Sequence, residues 1–183
     1  GYAIADVYFN SENARKPLAL RSDEERLEFF SVYEQMILEN AGLSVSLDLA
    51  TKIWNMASSI PKDFMPFDDT IEALSDLRSE GFKLGLISNL RRDMANLTEK
   101  LGLSSLIDIC ITSADVGVEK PNPAIFKAAL DSAKISADQA IHVGDQHKSD
   151  VLGAKSAGMH AILLDREGYS VDVDDCPVVQ SLA

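Results

Sequence analysis

The sequence predicts an α/β fold in which a parallel sheet is covered by helices on both faces. From about residue 69 to residue 165, short and nearly continuous apolar runs alternate with helical patterns. Parallel strands that are buried on both faces have such apolar runs, whereas strands with one solvated face alternate apolar and polar residues. The first 60 residues carry helical patterns only. We therefore expect a small α-helical domain at 1–62 and an α/β core at 63–183.

The composition is that of a globular protein with a strongly acidic surface. The 183 residues are 46% apolar and 25% charged, and the formal net charge is −12. A surface of this sign repels the phosphates of nucleic acids and anionic lipids, which argues against both as partners. No apolar run approaches the roughly 20 residues of a membrane helix. The first ten residues also lack the basic start of a signal peptide.

The two cysteines favour a reducing compartment. Cys110 lies in the apolar run LIDICIT, and Cys176 lies in an acidic stretch near the C-terminus. Neither has a CxxC neighbour, so a zinc site or a disulfide scaffold is not expected, and a cytoplasmic location fits best.

Capping signals and apolar spacing predict the first helices. Ser22 with Glu25 forms a capping box, and apolar residues then recur at helical spacing until Gly42 ends the helix. A second helical pattern runs from about Leu47 to Ala57. We interpret the aromatic and Met residues of this region as helix packing rather than as substrate contacts.

The rest of the chain is divided into strands and helices by glycines and capping residues. Asp69 with Glu72 predicts the cap of a helix that ends at Gly81. The strands predicted after it are FKLGLISN, LIDICITS, AIHVGD and HAILLD, and the helices between them are DMANLTEKLG, NPAIFKAALDSAK and SDVLGAKSAG.

Polar residues follow the apolar runs, at the sheet edge where parallel α/β proteins bind ligands. Ser88 and Asn89 follow LGLI, where a hydroxyl and turn amides either bind an oxyanion or cap the next helix. Lys120 precedes a proline in VGVEKPNP. A Lys-Pro loop holds the ammonium on a rigid base, and the alternative is a solvated lysine that balances Glu119.

Two carboxylates in the stretch GDQHKSD are candidate ligands of a hard cation. Asp145 ends a predicted strand and Asp150 begins the next helix, so the two converge. Mg²⁺ takes one or two carboxylates and keeps several waters. As alternatives, Asp145 is an acidic loop residue after a glycine turn, and Asp150 is a helix N-terminal acid favoured by the helix dipole.

A strand that ends in Ser88-Asn89, a Lys120-Pro loop and the GDQHKSD turn, in this order along the chain, resemble the motifs of the haloacid dehalogenase-like (HAD) superfamily. LGLISN, SADVGVEKPNPAIF and AIHVGDQHKSDVLGAKSAGMHAILL match it over roughly residues 60–165. The resemblance implies a Rossmann-like core in which Ser88, with Asn89, binds the transferring phosphoryl group. Lys120 would neutralise the phosphate and the nucleophile. Asp145 would ligate Mg²⁺, and Asp150 would support the metal site.

The resemblance also implies a mechanism and a role for the helical domain. In the superfamily, an aspartate attacks phosphorus and forms an aspartyl-phosphate that water hydrolyses, with Mg²⁺ and Lys offsetting the charge. The helical cap inserted after the first motif closes over the site and selects substrates. The GDxxxxD form is similar to that of the phosphatases, because the metal-free dehalogenases usually carry Ser-Asn in place of Gly-Asp.

The nucleophile motif of the family, DxDGT or DxxGT after an apolar strand, has no match here. The DxD at Asp172–Asp174 follows the last motif and lacks the Thr, so we interpret it as an acidic surface loop. In the family, the first strand lies between the strands that end at Ser88 and Asp145. We therefore expect a segment of about two dozen residues before Gly1, absent or supplied as a separate chain, and no direct pairing of those two strands.

Four further polar residues near the motifs have less specific interpretations. We expect His142 to be packed or hydrogen-bonded under the sheet. We expect His147 to be a solvated loop residue, although it could approach a leaving group. Arg91 and Arg92 either contact substrate or lie exposed in the first turn of a helix.

The sequence favours a cytoplasmic, Mg²⁺-dependent phosphohydrolase that acts on a small phosphate monoester. We expect its nucleophile to lie upstream of Gly1, and we therefore expect the chain by itself to be inactive. The alternatives are a non-catalytic HAD-like binding or assembly module and, disfavoured by Gly144-Asp145, a 2-haloacid dehalogenase.

Overall fold

The structure is a computed structural model of the chain and describes residues 2–60, 64–90, 93–168 and 173–183. The chain divides into two compact units. We call Gly1–Asp63 the helical unit and Phe64–Ala183 the α/β unit, and describe each by itself.

The helical unit contains α1 (Tyr2–Arg15), a 3₁₀ turn at Leu18–Leu20, α2 (Asp23–Asn40) and α3 (Leu47–Ser59). The predicted capping box is confirmed at the start of α2. The Ser22 hydroxyl accepts from Glu25 N at 3.2 Å, and Ser22 N donates to the Glu25 carboxylate at 2.8 Å. Two orphan amides of the helix are thereby satisfied.

Aromatic side chains hold the three helices together. Phe29 of α2 is buried and stacks on Tyr8 of α1 with ring centroids 5.4 Å apart. Phe30 stacks on Trp54 of α3 at 4.3 Å, with the rings only 7° from parallel. These aromatic residues therefore pack helix against helix, in agreement with their interpretation from the sequence. The same interpretation is wrong for Met56 of α3, which is 71% exposed.

The α/β unit alternates strands with helices. Its helices are α4 (Thr70–Ser79), α5 (Met94–Lys100), α6 (Ser113–Val116), α7 (Pro123–Ala133), a 3₁₀ turn at Ala137–Gln139, a π-helical turn at His147–Leu152 and α8 (Gly153–Ser156). Its strands are β1 (Gly85–Ser88), β2 (Ile109–Thr112), β3 (Ile141–Gly144), β4 (His160–Leu164) and β5 (Val178–Val179).

The strand pairs formed by the described residues are all parallel, which agrees with the predicted α/β class. β1 pairs with β2, with Ser88 opposite Thr112. β3 pairs with β4, and β4 pairs with β5. The described residues thus form a two-stranded and a three-stranded sheet, and no ladder joins β1 to β3. Direct pairing of those strands would have contradicted the expectation that a further strand lies between them.

The core of the α/β unit lies where α7 and α8 cover the strands. Ile125, Phe126 and Val151 are completely buried there. Gly153 makes this contact possible, because a Cβ at that position would lie 2.7 Å from Phe126 Cε2. Helix and aromatic ring therefore approach more closely than any other residue at 153 would permit.

Two local predictions differ from the structure, and one short strand was missed. Asp69 precedes α4, but its side chain makes no capping hydrogen bond. Its carboxylate instead accepts two hydrogen bonds from Arg166, at 2.8 and 2.9 Å, and one from Leu182 N. The helix predicted at SDVLGAKSAG begins as a π-helical turn at His147. The short strand β5 was not predicted at all.

Helices long and apolar enough to cross a membrane are not found among the described residues.

Candidate active site

Ser88 and Asn89 lie at the carboxyl end of β1, where their side chains organise the following turn. Ser88 is half-buried, and its Oγ accepts a hydrogen bond from Leu90 N at 3.1 Å. This bond orders the turn after β1 and leaves the hydroxyl proton available to donate. Ser88 does not cap the next helix, because α5 is capped by Asp93, whose carboxylate accepts from Asn96 N. A role in phosphate binding stays a prediction for Ser88.

Asn89 contacts the backbone of Lys120, 31 residues further along the chain. Asn89 Oδ1 accepts from Lys120 N at 2.8 Å, and Asn89 Nδ2 donates to Lys120 O at 3.2 Å. The single carboxamide thus satisfies both backbone groups of the lysine. The sequence predicted Asn89 as a substrate ligand, and the structure gives it a contact that positions Lys120.

The loop that carries Lys120 is fixed on its other side as well. The Lys120–Pro121 peptide is cis. Asn122 caps α7, because its Oδ1 accepts from Ala124 N at 3.0 Å and Pro123 opens the helix. Lys120 therefore extends from a backbone held at both ends, as the Lys-Pro sequence predicted.

Lys120 and Asp150 form an enclosed ion pair. Lys120 Nζ donates to Asp150 Oδ1 at 2.6 Å, and only 15% of the lysine side chain and 4% of the aspartate side chain are exposed. His142 Nε2 lies 3.0 Å from the same oxygen, and Gln146 N donates to Oδ2 at 3.0 Å. Because an ionised carboxylate only accepts, His142 donates from Nε2 in this contact.

These partners keep Asp150 charged in spite of its burial. Burial alone raises the pKa of the carboxyl group. The hydrogen bonds from His142 and Lys120, the Lys120 charge and the Gln146 amide outweigh that effect and lower the pKa to about 2. The site thus contains a permanent carboxylate whose oxygens are engaged by the protein.

Gly144 allows Asp150 to fold back against the end of β3. A Cβ at Gly144 would lie 2.3 Å from Asp150 Cγ and 2.6 Å from its Oδ2. No side chain fits between the strand and the carboxylate at such distances. The glycine of GDQHKSD is thus a packing requirement of the aspartate that follows it.

Asp145 is the exposed carboxylate of the site and adjoins the carboxyl end of β3. Its oxygen donors are of the kind that Mg²⁺ prefers. Asp150 differs from it, because its Oδ1 already accepts from Lys120 and His142 and its Oδ2 accepts from Gln146 N, which engages three of its about four lone-pair positions. The donor set therefore fits Mg²⁺ with Asp145 as ligand and Asp150 as the residue that supports the site. Both assignments stay predictions.

The structure joins some of the predicted residues and leaves others apart. Hydrogen bonds run from Asn89 to Lys120 and from Lys120 to Asp150, which links the ends of β1 and β3. Among the contacts described, none joins Ser88 Oγ or the Asp145 carboxylate to this chain of bonds. Arg91, Arg92 and Asp172 lie outside the described residues.

The two histidines near the site contact other side chains. His142 packs edge-on against Phe126 with ring centroids 5.1 Å apart and is bonded to Asp150. Strand alternation is the signal for this bond, because His142 shares a face with Gly144. His147 keeps 36% of its side chain exposed, and its Nε2 lies 2.8 Å from Asp175 Oδ1, a partner that the sequence did not predict.

Comparison with known proteins places the chain in a family. Residues 9–164 match the sequence profile described as haloacid dehalogenase-like hydrolase. The chain belongs to the haloacid dehalogenase-like hydrolase family. The HAD superfamily resemblance stated from the sequence is thereby confirmed, as is the Rossmann-like α/β class.

Relatives of this HAD chain include named phosphatases. It is 40% identical over 103 residues to glyceraldehyde 3-phosphate phosphatase of Methanothermobacter thermautotrophicus, covering 56% of this chain and 46% of that protein. It is 34% identical over 125 residues to haloacid dehalogenase-like hydrolase domain-containing protein 3 of Danio rerio, covering 67% and 52%. The chain spans about half the length of the curated relatives it matches.

Solved HAD structures share the fold over almost the whole chain. The HAD phosphatase of Thermococcus onnurineus aligns with 98% of this chain and 84% of that one, with a TM-score of 0.62 and 25% identity. The 2-haloacid dehalogenase of Pseudomonas syringae pv. Tomato aligns with 97% and 76%, with a TM-score of 0.61 and 27% identity. Phosphatases and dehalogenases thus share this architecture, so the fold alone does not choose between them.

Proposed function

We propose that this HAD chain carries the phosphate-binding and metal-binding residues of a Mg²⁺-dependent phosphohydrolase acting on a small phosphate monoester. The observation that carries the proposal is the enclosed Lys120–Asp150 pair, which Asn89 holds at the carboxyl end of β1. A cation fixed there is suited to an anionic phosphoryl group. The kinship with glyceraldehyde 3-phosphate phosphatase supports a phosphorylated substrate.

Lys120 and Ser88 have complementary tasks in the proposed reaction. The Lys120 ammonium offsets the charge of the phosphoryl oxygens and of the attacking carboxylate, and Asp150 prevents the lysine from turning away. The Ser88 hydroxyl donates to a phosphoryl oxygen, while its lone pair accepts from Leu90 N. Little solvent reorganisation is needed during the reaction because these donors are already in place.

Asp145 would hold Mg²⁺, with Asp150 supporting the site. When bound, the ion neutralises developing charge on the phosphoryl oxygens. Support comes from the donor chemistry: Asp145 is exposed, and hard oxygen donors suit this ion. A solved relative, YfnB of Bacillus subtilis, is described as bound to magnesium.

The attacking carboxylate is proposed to lie on a segment that is not part of this chain. Asp172–Asp174 is the only DxD here and follows the other motifs. Among the described residues, β1 and β3 are not hydrogen-bonded to each other. The proposed strand that carries this aspartate would lie between them. Its carboxylate would displace the alcohol from phosphorus, and water would then hydrolyse the aspartyl-phosphate. We propose the helical unit as the cap that selects the substrate.

The decisive experiment compares the 183-residue chain with a protein that also contains the segment encoded upstream. With Mg²⁺ and a generic aryl phosphate, we expect hydrolysis by the longer protein and none by the chain alone. Turnover by the chain alone would refute the external nucleophile. In the longer protein, Lys120→Met and Asp145→Asn should each lower kcat by about 100-fold to 1000-fold, leaving a residual rate that can be measured, whereas the exposed control Asp138→Asn should not lower it.

The upstream coding sequence and a haloacid substrate test the alternatives. DxDGT or DxxGT after an apolar run supports the enzyme, and its absence supports a non-catalytic binding or assembly module. The kinship with a 2-haloacid dehalogenase is the observation that favours dehalogenation. Gly144-Asp145 argues against it. Halide release from a small 2-haloacid without Mg²⁺ would decide for the dehalogenase.

A further inference from the structure

A second cluster of metal-ligating side chains lies beside the π-helical turn. His147 Nε2 lies 2.8 Å from Asp175 Oδ1, and Cys176 follows directly in the chain. One ligand atom from each residue, a nitrogen, an oxygen and a sulfur, lies within 4.8 Å of the other two. His147 and Cys176 are half-buried, and Asp175 is exposed. The cluster joins distant parts of the chain, so no local sequence pattern marked it.

We propose that His147, Asp175 and Cys176 form a binding site for a borderline-soft divalent ion of the Zn²⁺ type. Imidazole nitrogen, carboxylate oxygen and thiolate sulfur are the three donors that Zn²⁺ takes from proteins. Tetrahedral Zn²⁺ bonds hold such ligand atoms about 3.3 to 3.6 Å apart. The 2.8 Å separation of His147 Nε2 from Asp175 Oδ1 and the 4.8 Å limit for the whole cluster lie on either side of that spacing. Three protein ligands leave a fourth position for water.

Lys155 orients the carboxylate without occupying the proposed ligand atom. Lys155 Nζ donates to Asp175 Oδ2 at 2.9 Å and also to the Asp175 backbone oxygen. Oδ1 faces His147 and is the oxygen available to the ion. Carboxylate ligands commonly accept such a hydrogen bond through their second oxygen, which fixes their orientation.

Binding requires a simple exchange of protons for metal. The His147–Asp175 hydrogen bond opens as the imidazole proton moves to Nδ1, which frees the Nε2 lone pair. The Cys176 thiol releases its proton to solvent and binds as the thiolate. One carboxylate and one thiolate then balance the two positive charges of the ion, and Lys155 does not contact it. No oxidant or reductant takes part.

The site differs in chemistry from the proposed Mg²⁺ site, although His147 follows Asp145 closely in the chain. Thiolate and imidazole favour Zn²⁺ and Co²⁺ and discriminate against Mg²⁺. The ion would tie the segment that leads into β5 to the turn that carries Asp150. The absence of CxxC spacing argued against a zinc site in the sequence, and the three-dimensional cluster supplies the donors that the spacing lacks.

The test is titration of the reduced 183-residue chain with Co²⁺ and then with Zn²⁺. We expect one equivalent of Co²⁺ to produce a thiolate-to-metal charge-transfer band, displaced by Zn²⁺ and unaffected by millimolar Mg²⁺. His147→Ala, Asp175→Asn and Cys176→Ser should each weaken Zn²⁺ binding at least about tenfold. The matched controls should bind within about twofold of the unaltered chain, and they are His160→Ala, Asp174→Asn and Cys110→Ser.

A second measurement needs no variant and removes any dependence on how the variants fold. Zn²⁺ should slow the alkylation of Cys176 by iodoacetamide at least about tenfold, with the rate at Cys110 unchanged, as read by peptide mass spectrometry. Equal alkylation of Cys176 with and without Zn²⁺ would overturn the proposal. So would a charge-transfer band that survives in Cys176→Ser or disappears in Cys110→Ser.

Discussion

Lys120 Nζ donates a 2.6 Å hydrogen bond to Asp150 Oδ1, across 30 residues of chain and between two largely enclosed side chains. Charge-assisted bonds of this length are among the strongest in proteins. Their energetic importance is greatest when one partner is removed, because the other charge is then left buried without compensation. The pair is therefore both the proposed phosphate-binding feature and a point on which the α/β unit depends.

Substitution of Lys120 by Met should destabilise the α/β unit by about 3 kcal/mol, the cost of leaving a buried carboxylate without its cation. Because the only Trp, Trp54, lies in the helical unit, fluorescence would report the wrong part of the chain. Hydrogen exchange of peptides from residues 141–152 is the suitable measurement. Lys127→Met removes an exposed pair with Asp131 and should change stability by less than about 0.5 kcal/mol. Similar losses in both variants would contradict this account.

Gly144→Ala should destabilise the α/β unit by about 1–3 kcal/mol, because a Cβ there would overlap the Asp150 carboxylate and force it to move. The matched substitution is Gly85→Ala, whose added Cβ would meet Ile109 Cβ at an ordinary 3.7 Å. That change should alter stability by no more than about 0.5 kcal/mol. Hydrogen exchange of the β3 and β1 peptides measures both. Equal losses of stability in Gly144→Ala and Gly85→Ala would contradict the conclusion that the Asp150 carboxylate requires a glycine at position 144.

Asp69 should make the stability of the α/β unit pH-dependent in the acid range. The Arg166 guanidinium and the Leu182 amide, as hydrogen-bond donors, lower the pKa of the Asp69 carboxyl to about 2 from an ordinary value of 3.8. A lowered folded-state pKa means that the contribution is complete above about pH 4 and is lost as the pH falls through about 2. The stability difference between the unaltered chain and Asp69→Asn should therefore be constant from about pH 5 to 7 and shrink below about pH 4.

Urea unfolding followed by hydrogen exchange at about pH 7, 5 and 3 measures this difference. Asp68→Asn, at the exposed neighbouring position, is the control and should change stability by less than about 0.5 kcal/mol at each pH. A difference for Asp69→Asn that grows as the pH falls would have the wrong sign for a carboxylate stabilised in its charged form.

Features with a local cause were predictable from the sequence. The Ser22 and Glu25 capping box depends on residues three apart, and the structure confirms it. The alternation of short apolar runs with helical segments predicted the parallel strands, because parallel strands need crossover connections and these are usually helices. The proximity of Lys120 and Asp150 followed indirectly, since both lie beyond the carboxyl ends of parallel strands.

Features that depend on distant partners were not predictable. Asp69 occupies the sequence position of a helix cap, but its carboxylate accepts hydrogen bonds from Arg166, which lies 97 residues away. A guanidinium donates two charge-assisted hydrogen bonds to a carboxylate, and these are stronger than the bond from a helix amide. Asn89 similarly contacts a backbone 31 residues away. β5 has only two residues, Val178 and Val179, too few to show any periodicity.

Asn89→Ala should reveal whether Asn89 acts by positioning Lys120. The carboxamide makes both of these contacts with the backbone of Lys120. Its loss should therefore lower the stability by about 1 kcal/mol and allow the loop that carries Lys120 to move. In the protein that contains the upstream segment, we expect kcat for an aryl phosphate to fall about tenfold or more, because small misplacements of a charged group slow the reaction. KM should change less than kcat.

A double-substitution cycle separates positioning from direct binding of the substrate. If Asn89 acts through the Lys120 ammonium, Asn89→Ala should have little further effect on kcat in the Lys120→Met background. Its effect on stability should persist in that background, because the Lys120→Met substitution leaves in place the backbone groups that Asn89 binds. A carboxamide that contacts the substrate independently would instead give additive losses in kcat, and that result would restore Asn89 to the role of a substrate ligand.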